Sequence, residues 1–270
     1  MPAQLNAPKG ILMAALVVAS CGSGSPAADH SSPANLPDPA SLLQPVSQPL
    51  TGDELFGRLL QHNRLRDSHL LHYDAERTYR VSNDQGKIYA QEVVDVQYQA
   101  PDRKNFVTVS EEGSPLVRHL VLKRLIQSEE EAASGREHRN SAIRPDNYSF
   151  ILLGEQDLGS YHCYVVQAIP LRMDKYLFVG KVWISTEDFG IVRIEGQPAR
   201  KLSFWITRAD FVRQYQKMGE FWLPVKDETI VHVRMNANKV LTIDHRNYVI
   251  NSAPEAGDRN SINESEAKGK

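Results

Sequence analysis

The sequence is poor in cysteine, with only Cys21 and Cys163 among 270 residues. Cys21 falls in an N-terminal segment that is separate from the folded part, so Cys163 has no partner for an internal disulfide. The fold must therefore be held together by its core. Cys163 lies in a strand-like stretch with no base or second cysteine nearby, which is typical of a buried structural thiol.

The sequence also lacks a large charge of one sign, since 31 Lys and Arg residues face 33 Asp and Glu residues. Such a chain has no global positive field to attract nucleic acid. It contains none of the short motifs of serine hydrolases, zinc proteases or phosphate-binding loops. His69 and His72 would face opposite sides of a strand, so they do not predict a shared metal ion. We expect no enzyme activity, no cofactor and no metal site.

Long hydrophobic runs are missing as well, and the apolar stretch Ile11–Val18 is too short to span a bilayer. It has the length of the core of a secretion signal, follows Lys9 and leads through small residues to Cys21. The sequence Val18-Ala19-Ser20-Cys21 resembles the lipobox of bacterial lipoproteins, in which the cysteine thiol receives a diacylglycerol and the signal is removed before it. The alternative is an ordinary secretion signal with an incidental cysteine. By the same resemblance, Gly22 is typical of an outer-membrane lipoprotein that faces the periplasm.

Composition divides the chain into four predicted segments. Residues 1–20 are the lipoprotein signal peptide, and residues 21–50 are a tether rich in Pro and Ser that has too little apolar surface to fold. Residues 51–252 form the folded domain, which is long enough for one core. Residues 253–270 are a polar, disordered tail.

Two amphipathic helices are predicted in the folded part. The first runs from Asp53 to Arg66, because Thr51-Gly52-Asp53-Glu54 is a capping box and apolar residues then recur at helical spacing. The second runs from Pro115 to Ala133, where one apolar stripe follows a proline suited to a first turn.

The rest of the folded part is predicted to be strands. A hairpin is expected around the turn Asn83–Gly86, although Glu92 interrupts its apolar row, and Phe106–Val109 is another strand. Seven further strands, separated by turn residues that include Gly154, are expected at Tyr148–Leu153, Tyr161–Ala168, Lys181–Ser185, Ile191–Glu195, Leu202–Val212, Phe221–Val233 and Val240–Ile250. This order predicts an α+β fold in which a strongly curved antiparallel sheet forms an unclosed β-barrel, and the two helices cover or plug it.

Three strands share one pattern, in which a tryptophan alternates with aliphatic residues. Trp183, Trp205 and Trp222 therefore lie on the face opposite the aliphatic rows. That face is either a contact surface or a place of cross-strand packing that stiffens the sheet. The aliphatic rows of the other face consist of Val182, Ile184, Leu202, Phe204, Ile206, Phe221 and Leu223.

The order of elements, together with Val179–Ser185, Asp188–Glu195 and Gly219–Pro224, resembles the LolA/LolB superfamily of lipoprotein carriers, which includes the RseB sensor domain. Within it, the chain is most similar to proteins described as outer membrane lipoprotein-sorting proteins. The resemblance spans Asp53 to Ile250 and implies a LolA-like open barrel around an apolar cavity. The seven aliphatic residues above are the candidate lining of that cavity.

The resemblance also implies a function. It implies a lipid-anchored envelope protein whose barrel binds an acyl chain or the lipid moiety of a lipoprotein, in lipoprotein sorting or lipid handling. The alternative is an RseB-like sensor or interaction module that has an envelope protein as its partner and no carrier activity. The sequence identifies no counterpart of the carriers' specific arginine, so transport itself is not carried over.

Overall fold

The computed structural model describes residues 50–101, 103–132, 142–174, 176–200, 206–234 and 238–251, without the side chains of residues 128–132. The predicted signal peptide, Cys21, the tether before Leu50 and the C-terminal tail lie outside the described residues. Leu202, Phe204 and Trp205 also lie outside them.

Ten antiparallel strands form one sheet in the order β3-β2-β1-β10-β9-β8-β7-β6-β5-β4. The strands are β1 His72–Asn83, β2 Ile88–Gln99, β3 Arg103–Gly113, β4 Tyr148–Leu158, β5 Tyr161–Pro170, β6 Phe178–Ser185, β7 Ile191–Pro198, β8 Ile206–Met218, β9 Phe221–Val233 and β10 Lys239–Ile250. Strands β3 and β4 are the two edges, so the sheet is not closed. The predicted open antiparallel sheet is confirmed.

The first helix, α1, spans Gly52–His69 and begins with the predicted capping box. The Thr51 hydroxyl accepts a hydrogen bond from the Glu54 N–H, and the Glu54 carboxylate accepts one from the Thr51 N–H. This exchange satisfies amide groups that a helix start leaves unpaired. The predicted helix is confirmed and extends to His69.

The second predicted helix is found at Pro115–Ala132, but it is not α-helical throughout. It consists of α2 at Pro115–Val117, a π-helical turn at Arg118–Leu122, and α3 at Lys123–Ala132. A π turn widens the coil and so rotates the residues that follow it. Leu122, at the end of this turn, is buried, whereas Leu116 and Leu120 are exposed. Val117, Val121, Leu125 and Ile126 of the predicted apolar stripe pack against the sheet, whereas Leu116 and Leu120 do not.

Two apolar clusters lie on one face of the sheet, which we call the inner face. The first joins Leu55, Phe56 and Leu59 of α1 to residues of β4–β8. The second joins Leu122 and Leu125 to residues of β1, β2, β9 and β10. Each helical segment thus packs against its own half of the sheet by burial of aliphatic and aromatic side chains.

A smaller cluster lies on the opposite, outer face and contains Cys163, Val165, Trp183 and Val192. Cys163 is fully buried there, as predicted, and burial raises the pKa of its thiol to about 11.

One predicted turn is a strand residue. Gly154 lies inside β4, at a bulge where the pairing with β5 shifts between Leu152 and Gly154. Its φ of 140° favours glycine, so the residue marks a bulge and not a chain reversal. Among the described residues, no helix is both long and apolar enough to cross a membrane.

Candidate functional site

Five charged or ionisable side chains are buried in a row across the inner face: Glu92, Arg77, His245, Asp227 and Arg213. We call this row the polar belt. Each of its residues is at most 3% exposed. Burial of such groups costs free energy unless partners compensate for the lost water, so they are uncommon inside apolar faces.

The belt residues stand in strand positions that otherwise carry buried apolar side chains. Arg77 lies between Ala75 and Tyr79 in β1, and the alternating burial along β1 places all three on the inner face. His245 follows Ile243 by two residues in the same way. In each of five neighbouring strands, one belt residue therefore occupies a position that would otherwise hold a buried apolar side chain.

Strand register brings these residues together. Arg77 is directly opposite His245 across β1 and β10, and Arg213 is directly opposite Asp227 across β8 and β9. Asp227 is opposite Ile243, which makes His245 its diagonal neighbour on the same face. Glu92, on β2, is opposite Tyr79.

Asp227 is the centre of the belt. Arg213 donates from Nε to Oδ1 of Asp227, and His245 Nε2 lies 2.9 Å from Oδ2. Arg77 donates from Nη1 to the Tyr79 hydroxyl at 3.3 Å, and its guanidinium lies 5.6 Å from the centre of the Phe106 ring.

These contacts fix the charge states of the central groups. Burial by itself raises the pKa of Asp227, but Arg213 and His245 hold it below its usual value. Burial lowers the pKa of His245, and Asp227 offsets only part of that effect. At neutral pH the belt therefore contains ionised Asp227 and Arg213 and a neutral His245. A neutral His245 donates from Nε2 to Asp227 and keeps Nδ1 as an acceptor.

Three buried polar atoms on the inner face have no hydrogen-bond partner within the part of the chain that the structure describes. They are Nδ1 of His245, Oγ1 of Thr229 and Oε2 of Glu92. A buried polar atom without a partner costs about 1–3 kcal/mol. A ligand with donor groups would relieve this cost, and its apolar portion would contact the apolar side chains that flank the belt.

The structure divides the predicted cavity lining among three clusters. Val182 and Ile184 belong to the first apolar cluster, whereas Phe221 and Leu223 belong to the second. Ile206 packs with Ala209 and Val231. All five are buried on the sheet, and Leu202 and Phe204 lie outside the described residues.

Two of the three tryptophans of the predicted contact face lie together in the cluster of the outer face. Trp183 is buried and donates its indole N–H to Gln156 at 3.1 Å. Trp222 is half-buried and packs edge-on against Tyr161, with ring centres 4.9 Å apart. Trp205 lies outside the described residues.

The outer face also carries a groove of about 450 Å³ across β5–β8. Its lining includes Lys181, Glu195, Arg208 and Asp210, and it includes none of the seven residues predicted to line an apolar cavity. The lining also includes Val179, Phe211 and Val212, so the groove is a surface depression of mixed polar and apolar character.

No family model matches the chain, and no curated protein matches its sequence. Solved structures do match it. One is a putative outer membrane lipoprotein-sorting protein domain from Vibrio parahaemolyticus, 15% identical, with a TM-score of 0.45, which covers 77% of this chain and 96% of its own. Another is the LolA superfamily protein NE2245 from Nitrosomonas europaea, which is 10% identical and has a TM-score of 0.36. The match covers 76% of this chain and 96% of that protein's chain.

A third match is MucB in complex with MucA(peri), 8% identical, with a TM-score of 0.24, which covers 75% of this chain and 100% of its own. At TM-scores this low, the matches carry no conclusion about a ligand or a partner.

Proposed function

We propose that this protein is a lipid-anchored protein of the bacterial envelope, held at the periplasmic side of the outer membrane through Cys21. Its open sheet binds an acyl chain or the lipid moiety of a lipoprotein, without catalysis. The observation that supports this proposal most is the polar belt, which crosses the second apolar cluster on the inner face and reaches the first cluster at Arg213.

A lipid has the matching chemistry. An acyl chain that is buried against the aliphatic side chains gains about 0.8 kcal/mol per methylene, from which the ordering of the chain must be subtracted. The amide, hydroxyl or amine of a lipid head would donate to Nδ1 of His245 and Oε2 of Glu92, which are acceptors without partners among the described residues.

Binding requires part of the helical cover to move, because Leu55, Phe56, Leu122 and Leu125 fill the inner face. The segment from α2 to α3 is the better candidate for this motion. It leaves Leu116 and Leu120 exposed, and it contains a π-helical turn, a feature that is frequent at functional sites.

The test is native mass spectrometry of the mature chain purified without detergent, with organic extraction of any bound molecule. We expect acyl-lipid adducts that a fluorescent fatty acid displaces. Thr229→Val removes one hydroxyl of the inner face that has no partner among the described residues, at nearly constant shape, and should weaken uptake of the fatty acid. Thr242→Val, on the other face of the sheet, is the matched control.

A clean mass without uptake of the fatty acid would eliminate lipid binding and leave the alternative, a sensor or protein-interaction module. One observation favours that alternative. Within the described residues, β3 pairs only with β2, and its exposed Val107 and Val109 lie on an edge that an extended peptide could extend. A stable complex with an envelope protein, isolated without lipid, would support it.

A further inference from the structure

Six exposed aliphatic side chains lie on β4, β5 and β6 and in the segment that joins β5 to β6. They range from 38% to 72% exposed and are Ile151, Leu153, Ile169, Leu171, Met173 and Val179. We call them the edge patch. Large exposed patches of this kind mark interaction sites, whereas single exposed aliphatic residues need no explanation.

Strand register places the central members of the edge patch side by side. Ser149 is opposite Ile169 across β4 and β5, so Ile151, two residues further, lies on the same face as Ile169. Val179 comes directly before Gly180, which pairs with Ala168. Ala168 is buried on the inner face, so its neighbours Ile169 and Val179 point outwards together.

The start of the described chain lies at this same edge. The Asp53 carboxylate accepts a hydrogen bond from the Phe150 N–H at 3.1 Å. Gly52 lies so close to β4 that a Cβ there would collide with the carbonyl of Phe150. The described chain therefore begins at the β4 edge, next to the backbone of Ile151.

We infer that the edge patch rests on the membrane that holds the lipid anchor, with its aliphatic side chains in the acyl region of the bilayer. The inference uses the lipidation of Cys21 from the proposed function but not the binding of lipid on the inner face. Residues 22–49 reach at most about 100 Å when fully extended, which keeps the domain close to the bilayer. Contact by the patch is then an intramolecular step, for which weak affinity suffices.

The chemistry of the patch favours a bilayer over a protein. Protein interfaces draw their affinity from Trp, Tyr and Arg side chains, and the six patch residues include none of these. Branched aliphatic side chains and a methionine need only apolar surroundings, which acyl chains provide.

The test uses the mature lipidated chain in vesicles of phosphatidylethanolamine and phosphatidylglycerol. A polarity-sensitive fluorophore is attached through Ile151→Cys, with Val109→Cys, on the opposite edge of the sheet, as the matched control. The native thiol does not compete, because Cys163 is buried. We expect the fluorophore at position 151 to shift to the blue and to be quenched by brominated acyl chains, and the fluorophore at position 109 to remain in water.

Two outcomes would overturn the inference. One is a fluorophore at position 151 that remains as wet as the control. The other is a fluorophore that is shielded in buffer without vesicles, which would mean that another copy or another segment of this chain covers the patch. The mass of the mature chain shows separately whether Cys21 carries a lipid, so a failed anchor is distinguished from a failed contact.

A second measurement does not depend on the anchor. The unlipidated chain with Ile151→Ser, Ile169→Ser and Val179→Ser should partition into the same vesicles at least about tenfold more weakly than the unsubstituted chain. The variant Val107→Ser with Val109→Ser should partition unchanged. Equal partitioning of the two variants would contradict the inference.

Discussion

Trp222 donates its indole N–H to the carboxylate of Asp188, 3.0 Å from Oδ2, and thereby ties β9 to the turn between β6 and β7. Lys217 binds the same carboxylate at 2.9 Å, and Arg66 of α1 donates to the Asp188 carbonyl at 2.8 Å. The ring of Trp222 lies over Gly190, so it fills the space that a side chain at that position would need. The turn between β6 and β7 thus connects the first helix to β8 and β9.

Gly190→Ala should lower the free energy of unfolding by about 1–3 kcal/mol, because the new methyl group collides with the indole of Trp222. Urea denaturation measures the effect. Gly57→Ala is the control, since it lies inside α1 with open space around it and should raise stability by about 0.5–1 kcal/mol. Equal effects of the two substitutions would show that the ring does not occupy this space.

Asp188→Asn should destabilise the protein at neutral pH and much less in acid. Burial by itself raises the pKa of Asp188, but its bonds to Lys217 and Trp222, with others, hold it below the usual value. The stabilisation is present above the unfolded pKa of about 4 and is lost as the pH falls through the folded pKa. Urea denaturation at pH 7 and at pH 3 measures the free energy of unfolding of the variant and of the native protein. The control is Glu187→Gln at the exposed neighbouring residue, which should leave the free energy of unfolding unchanged at both pH values.

Stability should fall between pH 7 and pH 5 in a manner that depends on His245. Burial lowers the pKa of His245, so the folded state holds it neutral while the unfolded chain takes up a proton below about pH 6.5. His245→Gln should therefore flatten the profile in this range. His162 is the control with the opposite sign, because Asp157 and Glu155 raise its pKa. A profile that is unchanged in His245→Gln would mean that the imidazole is not held neutral.

Asp227→Ala should cost about 3–5 kcal/mol, because it leaves the buried guanidinium of Arg213 without its counter-charge. The double variant Arg213→Met with Asp227→Leu should be less destabilised than Arg213→Met or Asp227→Leu alone, since it removes both charges. Thermal or urea unfolding of the native protein, these two single variants and the double variant gives the coupling. Additive losses would show that the two residues do not act as a pair.

Leu122→Ala should cost about 2–5 kcal/mol, because the π-helical turn buries this side chain in the second cluster. Leu120→Ala, two residues earlier and exposed, should stay within about 0.5 kcal/mol of the native value. Thermal or urea unfolding of the two variants measures both changes in the free energy of unfolding. A large loss for Leu120→Ala would indicate that the segment packs as one continuous stripe.

Local patterns were sufficient to predict α1 and most strands. The capping box at Thr51–Glu54 and the alternation of apolar residues in Phe221–Val233 are set by neighbours in the chain, and both were found where predicted. The course of the chain at Gly154 was not predicted, because a glycine suits a bulge as well as a turn. Whether Gly154 forms a bulge or a turn depends on whether β5 pairs with the residues on both sides of Gly154.

The polar belt was missed, although its residues left a signal. Glu92 interrupts an apolar row in β2, and Arg77 and His245 do the same in β1 and β10. Within a single strand, such a residue cannot be distinguished from a shift in the alternation of inward and outward side chains, or from an exposed position. Only the register of neighbouring strands shows that these interruptions lie side by side.

The sequence by itself determined the open antiparallel sheet and the helix before it. Helix capping and the alternation of apolar residues depend only on residues close together in the chain, so both can be read from the order of residues. It also favoured the lipid anchor at Cys21, which remains a prediction. The tertiary structure decided which side chains meet: Arg213 with Asp227 and His245, and Trp222 with Asp188. It also placed the aliphatic edge patch beside the start of the domain. These contacts join residues far apart in the chain, and strand order and register bring them together.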